Sequence, residues 1–259
     1  LMAAFDSAGQ RCSAARILFV QSDIADRVTR RLEGVVIARA WSLLEYNVPE
    51  AKLAEASSAL GRSDYKTAAR IFSSLAEAGN AEAQFTLASV LYHGGSAEQA
   101  VGWLKKAAER KHPKAWRLLG DFHAKGLVAK GKADLREAAA CYLKAAELGD
   151  SAAMGMLSEC HFQGQGVVRS TYAGVKWLRA AAQAGDRGAA RLLAMRLSEG
   201  DDVTRDPAEA YLWLIVGTEG FGQGLWPVKL AEYRAKVPAS QRKAAEEAAA
   251  KVIRRKPGH

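Results

Sequence analysis

Cysteine is scarce in this chain: Cys12, Cys141 and Cys160 are the only three among 259 residues. Three thiols are too few for a disulfide scaffold, and their separations exclude the CxxC spacing of a zinc knuckle. The five histidines form no HxxxH pair, so no structural metal is expected. Long apolar runs are also missing. None approaches the roughly 18 to 20 residues that cross a bilayer, so no membrane span is expected. No basic-then-apolar leader with a small-residue cleavage site opens the sequence, which makes the cytoplasm the default expectation and the periplasm or secretion the alternative.

What remains is ordinary globular material, 49% hydrophobic and 25% charged. The formal charge of +9 is unevenly spread. Residues 229–259 carry nine Lys or Arg against three Glu, a local charge of +6, and the stretch between the first forty residues and this one is nearly neutral. No aromatic residues that could stack on bases are interleaved in the basic C-terminal helix, so it reads as a solvated face and nucleic acid is an unfavoured partner.

From about Lys52 onward alanine is dense and apolar residues recur at three or four, the signature of consecutive amphipathic helices. Self-comparison gives a period in the mid-thirties, the length of a helical hairpin. One column reads Ala83, Ala115, Ala153, Ala189. Four residues later stand Leu87, Leu119, Leu157, Leu193, followed by the small residues Ala88, Gly120, Ser158, Ala194. Eleven residues after each alanine comes Gly94, Gly126, Gly164 or Gly200. A second helix carries Ala100, Ala138, Gly174, Ala210 and, three positions on, Trp103, Cys141, Trp177, Trp213. Small residues let two helices approach, leucine and tryptophan fill the seam, and the glycine supplies a left-handed residue that ends the first helix. Each unit is thus expected to be one antiparallel hairpin that must stack on its neighbours to bury both apolar faces.

These columns resemble the Sel1-like repeat family, visible in AEAQFTLASVLYHGG with AVGWLKKAAE and in SAAMGMLSECHFQGQGVV with GVKWLRAAAQAGD. The resemblance implies an all-α, right-handed solenoid related to tetratricopeptide arrays. Its expected layout is a first half-unit over 41–80, repeats at 81–112, 113–150, 151–186 and 187–221, and a C-terminal capping helix with a basic tail over 222–259. In the half-unit, Asp64 and Tyr65 open the second helix, with Ala68 and Ile71 in its core columns. The family implies a scaffold that binds another protein through its concave face, without a cofactor, a metal or a small-molecule substrate.

If the first helix of each unit lines that face, as in related hairpins, the partner-binding positions are Phe85, Ser89, Tyr92, His93, Arg117, Asp121, Lys125, Glu159, Phe162, Gln163, Arg191, Met195 and Glu199. The alternative places Phe85, Tyr92 and Phe162 in the interhelical core. His123 and His161 share a column and are expected to pack rather than titrate or bind metal. Cys141 and Cys160 fall on consecutive antiparallel helices, at similar heights about a turn near Gly149 and Asp150. Related exported arrays bridge this helix pair nearer the turn, so two buried free thiols are the expectation and a disulfide the alternative.

The first forty residues are of another kind. FDSAGQRCSA followed by RILFVQSDIADRV resembles the segment around the nucleophilic cysteine of aldehyde dehydrogenases, especially the pyrroline-carboxylate dehydrogenase half of bifunctional proline-utilisation enzymes. The segment reads helix, turn, strand, helix. The resemblance makes Cys12 the catalytic thiol. The family's glutamate base, oxyanion asparagine and nucleotide-binding domain stand upstream of this motif and the sequence begins at Leu1, so an inactive fragment over 1–40 is expected. A fusion remnant, a reading-frame boundary and a truncation are all compatible with it. Two rival functions stand beside the scaffold. One is a split aldehyde dehydrogenase completed by a separate cofactor-binding chain, and the other is an acidic-surface or nucleic-acid binder acting through the basic C-terminal helix.

Overall fold

The computed structural model describes residues 50–128, 131–200, 203–220 and 225–254. The aldehyde-dehydrogenase-like segment with its expected strand and Cys12, and the last five residues of the basic tail, lie outside the described residues. Among the described residues every regular element is an α-helix. In chain order these are α1 (Glu50–Gly61), α2 (Tyr65–Glu77), α3 (Ala81–His93), α4 (Ala97–Glu109), α5 (Pro113–Ala124), α6 (Leu135–Glu147), α7 (Ser151–Gln163), α8 (Thr171–Gln183), α9 (Arg187–Glu199), α10 (Pro207–Thr218), α11 (Leu225–Lys236) and α12 (Ala239–Arg254). None is long and apolar enough to cross a membrane. Contacts divide the chain into two compact units, one up to Leu119 and one from Gly120 onward.

In the first unit α1 packs on α2, α2 on α3, and α3 on α4. Their shared core is built from Ala59, Leu60, Ala68, Ile71, Phe72, Ala83, Leu87 and Val90, with Tyr65 and Trp103 against its edge. Asp64 caps α2 by accepting from the Thr67 N–H at 3.1 Å, and hydrogen bonding from Thr67 holds its carboxyl below the ordinary carboxylate range. Asn80 caps α3 in the same way, accepting from the Ala83 N–H at 2.8 Å. At the equivalent place before α5 stands a histidine. His112 Nδ1 accepts from the Ala115 N–H at 3.2 Å, which requires the ring proton to sit on Nε2, where it is donated to the Glu82 carboxylate at 2.8 Å.

One expectation about the end of α3 is corrected. Gly94 has φ −77°, and the left-handed residue is Gly95 at +84°. Gly126, Gly164 and Gly200 are left-handed as their column requires, at +73°, +71° and +74°. The loop after α3 is four residues shorter than the repeat pattern and carries two glycines, so the turn slips by one position. Gly94 serves close approach instead, since a Cβ there would lie 2.8 Å from the Tyr65 Cβ.

In the second unit α6 packs on α7, α7 on α8, α8 on α9 and α9 on α10, and α10 is covered by α11 and α12. Asp150 and Asp186 cap α7 and α9, accepting from the N–H of Ala153 at 2.8 Å and of Ala189 at 2.9 Å. The continuous core runs through Leu178, Leu193, Leu197, Trp213, Leu214 and Val216 to Val237 and Ala249. Polar ties fix the helices across it. Arg179 grips the Glu209 carboxylate with two bonds, at 2.8 and 3.1 Å, and the same carboxylate accepts from Trp213 Nε1 at 3.0 Å. Tyr211 donates to Glu246 at 3.0 Å, and Arg234 meets the same oxygen at 3.3 Å, tying α12 and α11 to α10.

Candidate functional site

The alanine and leucine columns of each first helix are spent on packing. Ala83 and Leu87 are buried in the first unit, and Ala153, Leu157, Ala189 and Leu193 in the second. Side chains between these columns are what a first helix has left to offer a partner, and the structure divides them sharply.

In the first unit Phe85 is 3% exposed, its ring stacked on His112 with centroids 4.9 Å apart. Ser89 is buried and its hydroxyl donates to the Phe85 carbonyl at 3.0 Å. Neither presents itself to a partner. An aromatic and a small hydroxyl two and six residues after the column alanine still lie within the arc that α3 buries, because eight consecutive residues from Ala83 to Val90 are buried there. Tyr92 is half-buried and packs at a tilt against His93, which is exposed and stacked on Tyr65. Arg117 is half-buried.

In the second unit Asp121 is half-buried and accepts from the Tyr142 hydroxyl at 2.9 Å, while Lys125 is exposed. Glu159 accepts from the Gln163 amide, and Gln163 itself is exposed. Phe162 is buried, so this aromatic too belongs to the interior. Its ring lies where a Cβ on Gly174 would come within 2.7 Å of it, so the small residue in that column makes room for the ring. Arg191 is half-buried and is used internally: it donates to the Gly217 carbonyl at 2.7 Å and its guanidinium lies 5.1 Å from the Trp226 ring. Met195 is 44% exposed and Glu199 is exposed.

The sequence reading missed Arg196. Its guanidinium sits 3.8 Å from the centroid of the Phe162 ring, which brings α9 beside α7 on one face of the second unit. The available signal was small: an arginine seven residues after the column alanine of one unit and a phenylalanine nine residues after that of the unit before. Only the packing of α7 beside α9 brings those two offsets together.

Beside this face is a cavity of about 180 Å³, lined by Leu135, Ala138, Tyr142, Met156, Glu159 and Cys160 among others. Burial pushes the Cys160 thiol up from its ordinary value and that of Cys141 up to about 11, so both are protonated near neutrality. Both cysteines are free. Among the described residues no cluster of three or more His, Cys, Asp or Glu could hold a metal ion.

Comparison with known proteins follows the same helices. The Sel1 repeat model matches residues 81–112, 113–150, 151–186 and 188–215. A Sel1 repeat protein from Oxalobacter formigenes is 26% identical, with a TM-score of 0.58 over 76% of this chain and 83% of that one. Cysteine rich protein B of Helicobacter pylori is 28% identical over 50% of this chain and 95% of its own, with a TM-score of 0.42. A stretch of 34 residues, 13% of this chain, is 56% identical to part of an ATP phosphoribosyltransferase of Rhodopirellula baltica and spans 11% of that enzyme's length. None of these three is an aldehyde dehydrogenase. With four consecutive matches that together span half of its length, and a fold shared with the Oxalobacter protein, the chain belongs to the Sel1 repeat family.

Proposed function

We propose that this chain is a protein-binding scaffold, its partner docking on the side chains that the first helix of each hairpin leaves outside the core. The observation that carries the reading is the division of labour along those helices. The repeated alanines and leucines are consumed by packing, whereas Tyr92 and His93 in the first unit, and Gln163, Met195 and Glu199 in the second, stay wholly or partly exposed on rigid helices. A surface held by helix packing is ordered before a partner arrives, so little side-chain entropy is lost on docking. Of the residues expected to bind a partner, Phe85, Ser89 and Phe162 are withdrawn from this set because they are buried.

The test begins with crosslinking of the full chain in its native host and identification of the captured protein, followed by binding measurements with purified components. Tyr92→Ala and Met195→Ala should each weaken binding at least about 5-fold, which is roughly 1 kcal/mol. A partner indifferent to both overturns the docking face. No aldehyde oxidation is expected of the chain, and steady NADH production that vanishes in Cys12→Ser would replace the scaffold reading with an enzymatic one.

A further inference from the structure

We propose that the face of the second unit formed by α7 and α9 takes a largely apolar segment of a protein partner that carries a single Asp or Glu, with that carboxylate seated on the Arg196 guanidinium. The proposal rests on the scaffold reading and names the chemistry of what docks.

A guanidinium has five N–H donors and no acceptor, and a donor buried without a partner costs stability. Neighbouring arginines of this unit obey that constraint. Arg179 is held by both oxygens of Glu209, Arg187 pairs with Glu219 at 3.1 Å, and Arg234 pairs with Glu246. Arg136 and Arg205 also lack an ion pair among the described residues but are exposed to water, whereas Arg196 is half-buried. Its Nε is buried with no hydrogen-bond partner, and it makes no ion pair among the described residues. Among the described residues its guanidinium meets the face of the Phe162 ring. The ring it rests on is itself buried, so the guanidinium is anchored before any carboxylate arrives.

The surroundings narrow the occupant. Leu192 and Met195, on the same helix, are exposed apolar side chains that would cover the aliphatic part of an incoming residue and shield the ion pair from water. Glu159 and Glu199 also lie on α7 and α9, and they disfavour a uniformly acidic stretch that would cross them. A single Asp or Glu flanked by apolar residues therefore fits better than a run of acids. A basic segment would set its charge against the solvent-facing part of the Arg196 guanidinium.

The experiment selects dodecapeptides from a random phage-displayed library against the full chain, then measures fluorescein-labelled copies of the selected peptides by anisotropy at 150 mM salt. The expected peptides carry one fixed Asp or Glu whose change to Asn or Gln weakens binding at least 10-fold. Arg196→Gln should remove that discrimination between carboxylate and amide, and Arg196→Lys should restore little of it, because an ammonium lacks the planar fork. Arg196→Met keeps the contact with Phe162, so it separates loss of the ion pair from loss of packing, with circular dichroism reporting the fold of each variant. Lys251→Gln should leave affinity unchanged. Peptides that bind tightly but ignore both the carboxylate and Arg196→Gln would overturn this inference and leave the scaffold standing. Failure to select any peptide, together with failure to capture a protein partner, would overturn both.

Discussion

Trp213 and Trp177 occupy the same column of the repeat but not the same environment. Trp213 is 4% exposed and its indole N–H is satisfied by Glu209, whereas Trp177 is half-buried. Trp213→Ala should therefore cost about 3 to 5 kcal/mol, the range for removing a large side chain from a closed core, and Trp177→Ala about 1 to 3 kcal/mol. Urea denaturation of both variants checks the order, and equal losses would refute it. The thiols give a second prediction at this scale. Burial raises the Cys141 pKa from near 9 to about 11, so the unfolded chain loses that proton first as pH rises. Cys141 thus contributes stability that is complete below about pH 9 and is lost as pH climbs through about 11. Cys141→Ala should flatten the alkaline fall in stability, measured as the denaturation midpoint between pH 8 and 10.5. The column spacing was legible in the sequence, because small residues and leucines repeat for a steric reason. The exposure of an individual tryptophan was not, since it depends on what the neighbouring helix places over the ring.

At the scale of the element, α10 comes close to α9 at Gly217. A Cβ there would lie 2.6 Å from the Arg191 Cγ, 2.9 Å from the Arg191 amide nitrogen and 3.1 Å from the Arg187 carbonyl oxygen. Two effects oppose each other in Gly217→Ala. Alanine gains about 1 kcal/mol of intrinsic helix propensity over glycine, but overpacking costs about 1 to 3 kcal/mol. Two of the three nearest atoms are backbone and cannot swing aside, so the steric cost should win, and Arg191 should also lose its bond to the Gly217 carbonyl. A net loss of stability on denaturation is expected, and a gain would show that α9 and α10 can separate freely. The start of α2 at Asp64 was legible, and the other caps follow the same rule. Asp64, Asn80, Asp150 and Asp186 are acceptors placed just before alanine-rich helices, and each caps an N–H three residues on. His112 in the same role was not, because an imidazole caps only when its tautomer is set by a second partner, here Glu82 on another helix. The glycine that ends α3 was misplaced by one residue because the shortened loop carries two adjacent glycines, and Gly95 is the left-handed one while Gly94 lies close against Tyr65.

For the whole molecule the question is whether its charge of +9 governs binding. Counted along the sequence, residues 229–259 look like a cationic surface of +6. In the structure part of that charge is already paired: Lys229 with Glu232 at 3.1 Å, Arg234 with Glu246 at 3.3 Å, and Lys243 with Glu247 at 4.0 Å. These are exposed pairs worth about 0 to 1 kcal/mol each in stability, yet they still weaken the field that an acidic partner meets. Among the described residues Lys236, Arg242, Lys251 and Arg254 form no ion pair, and charges on such long, mostly exposed stems mainly tune the rate of association and its response to salt. An anchored guanidinium on a packed aromatic acts differently, because breaking its ion pair in a partly dry site raises the dissociation rate. With a partner in hand, removal of residues 251–259 should change affinity by less than about 1 kcal/mol and slow association mostly at low salt, whereas Arg196→Gln should speed dissociation at any salt. Stopped-flow association and dissociation rates between 50 and 300 mM salt separate the two. If the tail deletion abolishes binding and affinity falls steeply and linearly with the logarithm of salt, the electrostatic surface is the binding site, and a nucleic acid becomes the first ligand to examine.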